Sequence, residues 1–430
     1  MSRARFFNLV FVLLICSGLT VACTGGGDVV TFMVFGDPAE LVAYEALVDA
    51  FEAGHPDIGV EMRHIPGQAE YRRRLATDFS AGAPADVMLL NYRRFATFAG
   101  QGGLQPVDTY LKQSEVLQES DFFQPTIDAF HLDDQLWCVP QNISSLVAYY
   151  NKDLFDQAGL HHPLPDWTWQ EFLEAARSLT VDLDGDGTID QYGAGISPNL
   201  FRLAPFVWQY GGQIVDDPEN PTRLTLDDPA ALAAFQWLVD LRGKEGVVPD
   251  SLAESARSSE NRFLDGTLAI YFNSRRGVPT YRTIGDFDWD VVALPHGPSQ
   301  AGILHSDGYC MASSTNDKEA AWKFIEFANS HEGQSIVARS GRTVPSLKSV
   351  AESAAFLDPD QPPASSRVYI DTIPLLGRVP IMTTWASIEE TASREIERAF
   401  YGQATVPEAA EAAVGRTKAY FDEDREEVNK

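Results

Sequence analysis

Residues 29 to 90 alternate between two hydrophobic patterns, and that alternation most limits the folds open to this chain. Val29-Val30-Thr31-Phe32-Met33-Val34-Phe35 is β-branched and aromatic and stops at Gly36-Asp37-Pro38, which spells a buried strand and a turn. Leu41, Tyr44, Leu47, Val48 and Phe51 then recur at helical spacing, up to Gly54-His55-Pro56-Asp57. Ile58 to Ile65 reads as a strand, Tyr71 to Ala81 as a helix, and Asp86 to Leu90 as a third, buried strand. Strand, helix, strand, helix, strand predicts an α/β domain with a mainly parallel sheet. Ligands of such sheets bind beyond the carboxyl ends of the strands. Those ends are Phe35-Gly36-Asp37 and Asn91-Tyr92-Arg93.

The chain has 430 residues, 44% hydrophobic and 11% aromatic, enough for well-filled cores and too long for one of them. The middle, about 145 to 270, is richer in helices. Trp169 to Leu179 is one; Asp228-Pro229 opens another, which runs through Leu232, Phe235, Leu238 and Leu241 to Gly243. Phe263 to Phe272 reads as an apolar strand and Ala320 to Ala328 as a helix. Ser387 to Tyr420 reads as two helices parted by Gly402 and Pro407, and Asp422 to Lys430 as a charged, frayed tail.

Met1 to Gly27 has the layout of an export signal with an anchoring cysteine. Arg3 and Arg5 give a basic start, Phe6 to Val21 is almost wholly apolar, and small Ala22 precedes Cys23 and Thr24-Gly25-Gly26-Gly27. The reading is a lipoprotein signal over 1–22 and a lipidated Cys23 with its tether over 23–28. Thr20 stands where a lipobox usually has Leu; an ordinary secretory signal or an uncleaved anchor is the alternative. A membrane span needs about 20 apolar residues, and this stretch falls short. Everything after Cys23 is then expected outside the cytoplasmic membrane, at its periplasmic face or the outer cell surface.

Asp and Glu total 61 against 33 Lys and Arg, a formal charge of −28. Such a surface repels nucleic acid and anionic membrane alike, so a lipid is needed to keep the protein at a membrane. Of four cysteines, Cys16 leaves with the signal and Cys23 carries lipid. Cys138 and Cys310 remain, either as a disulfide or as buried thiols.

Tyr149-Tyr150-Asn151-Lys152-Asp153-Leu154-Phe155 with Ala158-Gly159-Leu160 resembles the extracellular solute-binding proteins of ABC importers, in the carbohydrate-binding group that includes the maltose-binding proteins. Ala85 to Met88, Phe98 to Leu104, Trp208 to Gly212, Gly266 to Asn273 and Ala320 to Ile325 match in the family's order. The resemblance implies a two-lobe, periplasmic-binding-protein-like α/β fold with a hinge and an interlobe ligand cleft. It places 29–140 and 275–340 in an N-lobe, and 141–274 and 341–430 in a C-lobe. It also implies a monomer that closes on a small solute and meets permease subunits, with no cofactor required. The strands at Leu136 to Val139 and Tyr309 to Ala312 run side by side in that architecture, which favours a Cys138–Cys310 disulfide.

Sugars want aromatic platforms with carboxylates, amides and Arg at the edge. The resemblance makes Trp385 the stacking residue, against a packing role under the C-terminal helices, and Trp208 a second platform or a core residue. Asp37, Asn91, Tyr92 and Arg93 follow strands where relatives place polar contacts. Asn142 and Ser144 lie just past the hinge; Asn273, Arg275 and Arg276 follow the returning strand; Asp307 and Tyr309 line the next crossing. Arg93-Arg94 and Arg275-Arg276 stand where sugar binders commonly carry acids or aromatics. Neutral sugar is the first reading; an anionic solute such as a uronate, a sulfated sugar or a glycerophosphodiester is the alternative, since Arg forks suit oxyanions.

Asp182, Asp184, Asp186 and Asp190 sit in a loop that resembles a calcium site, although Gly193 replaces the bidentate Glu; a structural turn is the other reading. Enzyme readings fare poorly. H-E-x-x-H, G-x-S-x-G and a phosphate loop are all missing, and His305-Ser306-Asp307 holds triad residue types only as sequence neighbours. A secreted carbohydrate hydrolase and a sensory receptor are the competing classes.

Overall fold

The computed structural model describes residues 28–428. The expected signal segment, Cys16 and Cys23 lie outside the described residues. The first lobe opens with β1 (Asp28–Phe35), α1 (Pro38–Gly54), β2 (Ile58–Ile65), α2 (Gln68–Ser80), β3 (Val87–Asn91), α3 (Phe95–Gly100) and β4 (Leu104–Gln105). Its last outgoing strand is β5 (Cys138–Pro140). The second lobe holds β6 (Val147–Asn151), α4 (Trp169–Ser178), β7 (Tyr192–Gly195), α5 (Leu200–Gln209), α6 (Pro229–Gly243), α7 (Ser259–Leu264), β8 (Leu268–Asn273), β9 (Trp289–Val292) and β10 (Gly302–Ile303). The chain then returns through β11 (Asp307–Ala312), α8 (Lys318–Ala328) and α9 (His331–Ala338), and ends with β12 (Leu376–Gly377), α10 (Trp385–Phe400) and α11 (Val406–Val428).

The first sheet runs β2-β1-β3-β11-β4, with β5 also paired to β11. β1 is parallel to β2 along its whole length, Asp28↔Ile58 through Phe35↔Ile65, while β11 is antiparallel to β3 with Asp307 opposite Asn91. Phe32 stands at the centre of the lobe's core, edge-on to Tyr44, Tyr309 and Phe324. Burying such rings stabilises by about 2–3 kcal/mol each. At the lower end of the sheet, Thr31 and Asp86 clamp β1 to β3: Thr31 N and Oγ1 donate to Asp86 Oδ2 at 2.9 and 2.6 Å. Cys310 lies opposite Cys138 in the β5–β11 ladder, and the two form a disulfide.

The second sheet runs β9-β6-β8-β7. Its β9 corrects the expected lobe boundary: residues 275 to about 304 belong with the second lobe. After Asn273 the chain turns through Arg275–Gly277 and Val278–Tyr281, and Trp289–Val292 then pairs antiparallel with β6 and is buried there. The return to the first lobe comes at His305–Asp307. A second correction concerns the strand expected from Phe263. Ser258 Oγ accepts from Asn261 N and caps α7, so the strand starts only at Leu268. The expected frayed tail is likewise helical to Val428, and Asp424 Oδ1 accepts from Thr383 N at 2.7 Å.

Two segments cross between the lobes side by side. Ser144 N donates to His305 O and His305 N to Ser144 O, both at 2.8 Å. Asn142 also bridges Pro345 in the segment that follows α9. No helix among the described residues is long and apolar enough to cross a membrane.

Candidate interlobe binding site

The carboxyl ends of β1, β3 and the start of β11 meet the crossing segments in one cavity. Its polar centre is a chain of hydrogen bonds. Asn91 Nδ2 donates to Asp307 Oδ1 (3.0 Å), Asn142 Nδ2 to Asp307 Oδ2 (3.3 Å), and Asp307 N to Asn142 Oδ1 (3.1 Å). Asn142 Nδ2 also reaches Gln141 Oε1 (2.6 Å), and Gln141 Nε2 donates to the buried hydroxyls of Tyr44 and Tyr309 (3.0 and 3.3 Å). The network therefore runs from the cavity wall into the first lobe's core. Such anchoring holds the amides in place before a ligand arrives.

At the start of α1, Asp37 Oδ1 caps the helix by accepting from Ala39 N and Glu40 N (3.0 and 3.1 Å). Asp37 Oδ2 and Glu40 Oε1 both meet the guanidinium of Arg342. Gly36 makes room for this: a Cβ there would lie 2.0 Å from Glu40 Oε2. Burial pushes the Glu40 carboxyl up to about 7, against the pull of Arg342. Glu40 Oε2 has no hydrogen-bond partner among the described residues.

The facing wall comes from the second lobe. Phe201 and Arg202 lie in the first turn of α5, which Asn199 caps by accepting from Arg202 N. The Arg93 guanidinium sits 3.9 Å over the Phe201 ring, and His305 stacks on that ring at 4.5 Å. Burial first, then the charges of Arg93, Arg202 and Arg276, hold the His305 imidazole well below its ordinary pKa, hence neutral.

Residues 36–335 match the profile of bacterial extracellular solute-binding proteins. This chain belongs to that family. Among its relatives, the sn-glycerol-3-phosphate-binding periplasmic protein of Yersinia enterocolitica is 23% identical over 444 residues, which cover 96% of this chain and 97% of that protein. The ABC substrate-binding protein of Listeria monocytogenes solved with cycloalternan superposes with a TM-score of 0.84 at 24% identity, over 91% of this chain and 98% of that one. The maltose-bound protein of T. maritima gives 0.77 at 22% identity, over 91% and 99%. The two-lobe solute-binding fold is thus the fold of this chain.

Within this family member, Asn91, Arg93, Asn142, Ser144, Arg276 and Asp307 line one cavity, and Asp37 lines its continuation beside Arg276 and Arg342. Asn273 stands behind the wall, with Oδ1 accepting from Arg202 (3.3 Å) and Nδ2 donating to Tyr281 (2.8 Å).

Five expected contacts are placed elsewhere. Trp385 is fully buried at the first position of α10, where it continues the stripe of Ile388, Ala392, Ile396 and Ala399. Trp208 packs on Gly377, outside the cavity. Tyr92 is buried with its hydroxyl accepting from Val379 N, and Tyr309 is buried against Gln141. Arg275 is 1% exposed and turns into the second lobe, donating to Gly341 O (2.7 Å) and Ser366 Oγ (2.9 Å).

Sequence reasoning missed Glu40, Phe201, Arg202, His305 and Arg342. Asn199 spaced three before Arg202 was a readable cap signal for α5; Pro205 inside the helix obscured it. In the acidic loop, Asp182, Asp184 and Asp190 bring carboxylate oxygens within 4.8 Å of one another; Asp186 is not in that group, and its Oδ1 accepts from Thr188 N.

Proposed function

We propose that this chain captures a sugar or a related hydroxylated solute outside the cytoplasmic membrane, as a monomer tethered by lipid on Cys23, and hands it to the permease subunits of an ABC importer. One observation carries the reading: Asn91, Asn142, Ser144 and Asp307 cluster where the chain crosses between its lobes. A solute seated there touches both lobes at once, and its differential affinity for the closed arrangement drives closure. The structural neighbours support it, since the Listeria protein is described with cycloalternan and the T. maritima protein with maltose. The relatives are binding proteins, in keeping with capture without turnover.

Titration calorimetry paired with small-angle scattering tests this. Binding of a sugar or polyol derivative should be saturable and should shrink the radius of gyration. Asn142→Ala, which removes donors to Asp307 and Gln141, should weaken binding by about tenfold, the worth of one hydrogen bond near a charge. Turnover of the solute, or binding with no dependence on Asn142, would refute the assignment.

A further inference from the structure

The cavity has one wall whose arginine is paired with acids and one whose arginines are not. On the first-lobe wall, Asp307 accepts from Asn91 and Asn142, and Arg342 is paired with Asp37 and Glu40. On the second-lobe wall, Arg202 has among the described residues a single side-chain partner, Asn273 Oδ1 at 3.3 Å, and its Nε is buried without one there. Arg276 is exposed in the cavity and makes no ion pair among the described residues. Of the acids that line the adjoining chamber, Asp37 is taken by Arg342 and Glu260 accepts from the Tyr281 hydroxyl (2.9 Å). A buried guanidinium donor left open in a protein of net charge −28 calls for an acceptor from outside the chain.

The same wall offers little to the face of a neutral sugar. Arg93 and His305 both stack on the Phe201 ring, 3.9 and 4.5 Å from its centre. Among the described residues, the cavity lining includes no Trp or Tyr. Meanwhile His305 Nε2 is buried and has no partner among the described residues beside the two arginines, and a neutral imidazole protonated there supplies one more donor without added repulsion.

We propose that the transported solute carries an oxyanion, a phosphate ester or a carboxylate, which sits between Arg202 and Arg276 with His305 Nε2 as a third donor. The inference rests on the solute-capture reading and narrows its substrate class. Arg forks match either oxyanion. Burial, with repulsion from Arg276, already pushes the Arg202 guanidinium below its ordinary value, a cost that a bound anion relieves.

The test is titration of the exported protein with matched pairs: glycerol and glycerol 3-phosphate, glucose and glucuronate. The acidic member of at least one pair should bind about 30-fold or more tightly than its neutral partner, and its affinity should fall with salt. The phosphate pair and the uronate pair tell the two sources apart. Arg276→Gln, an exposed and fold-neutral change, should weaken that anion by about 30-fold, and Arg202→Lys, checked by circular dichroism, should lower it by about tenfold through loss of the fork. Neutral solutes binding as tightly as their acidic partners, or anion affinity untouched by Arg276→Gln, would overturn the oxyanion seat and leave solute capture standing. A folded protein that binds no member of either pair would overturn both.

Discussion

Arg93 holds Glu389 through one guanidinium nitrogen, 2.6 and 2.5 Å from the two carboxylate oxygens, across the line between the lobes. Arg93 follows β3 of the first sheet, whereas Glu389 belongs to α10, which packs on α5 and α6 of the second lobe. Both side chains are 15% exposed, so the pair is only partly screened. Arg93 thus ties the lobes twice, by this ion pair and by its place over Phe201. A double-mutant cycle with Arg93→Gln and Glu389→Gln should give a coupling of about 1–3 kcal/mol in urea unfolding. Glu389→Gln alone should also enlarge the radius of gyration of the unbound protein. Additive single effects would show that the pair does not tie the lobes.

Glu40 should make stability fall as pH rises. Its carboxyl sits at about 7 when folded against an ordinary 4.5, chiefly through burial, with Asp37 and Asp307 adding to the rise and Arg342 opposing it. Between those values the folded chain keeps a proton that the unfolded chain has released. Stability from this group is therefore full below about 4.5 and is lost through about 7, by up to about 3 kcal/mol. Urea melts at pH 5 and pH 8 should show a smaller drop for Glu40→Gln than for the parent. Parallel drops would mean that Glu40 titrates as an ordinary carboxyl.

Adjacent Arg275 and Arg276 have opposite fates, and their variants should separate folding from binding. The short turn Arg275–Gly277 sends Arg275 over the rings of Phe356 and Tyr369 while Arg276 faces the cavity. Removing the buried cation strips Gly341 O and Ser366 of their donor. Arg275→Met should therefore cost about 3 kcal/mol of stability and leave the solute affinity of the folded fraction unchanged. Arg276→Gln should change stability by less than about 0.5 kcal/mol. A variant at Arg275 that is stable but loses solute would reverse the two assignments.

The sequence made the first lobe readable because its elements are local and strongly periodic. Ile58 to Ile65 has the observed bounds of β2, and Asp228-Pro229 starts α6 where its punctuation says. The lobe boundary was not readable, because the pairing of Trp289–Val292 with β6 joins residues some 140 positions apart and leaves no local mark. Within the site, residues at strand ends and crossings were found: Asn91, Asn142 and Asp307 share one network. Residues whose direction depends on a turn were not, as Arg275 shows. Trp385 was misread for a different reason. Its spacing to Ile388, Ala392 and Ile396 is a buried helical stripe, whereas the stacking role came from the resemblance.

The Cys138–Cys310 bond gives a last test, because it closes a separation of 172 residues and spans the excursion into the second lobe. Both cysteines are fully buried in facing strands, so the bond constrains the unfolded chain more than it props the native one. Loop-closure entropy for a separation of that size is worth about 5 kcal/mol, and measured losses for native disulfides run about 2–5 kcal/mol. Cys138→Ala with Cys310→Ala should therefore lower stability by about 3 kcal/mol, and the urea m-value should rise as the unfolded chain expands. The crossing segments at Asn142, Ser144 and His305 are tied by their own hydrogen bonds, so solute affinity should stay within about twofold of the parent. An affinity lost together with stability would mean that the bond, rather than the paired crossings, holds the cavity wall in register.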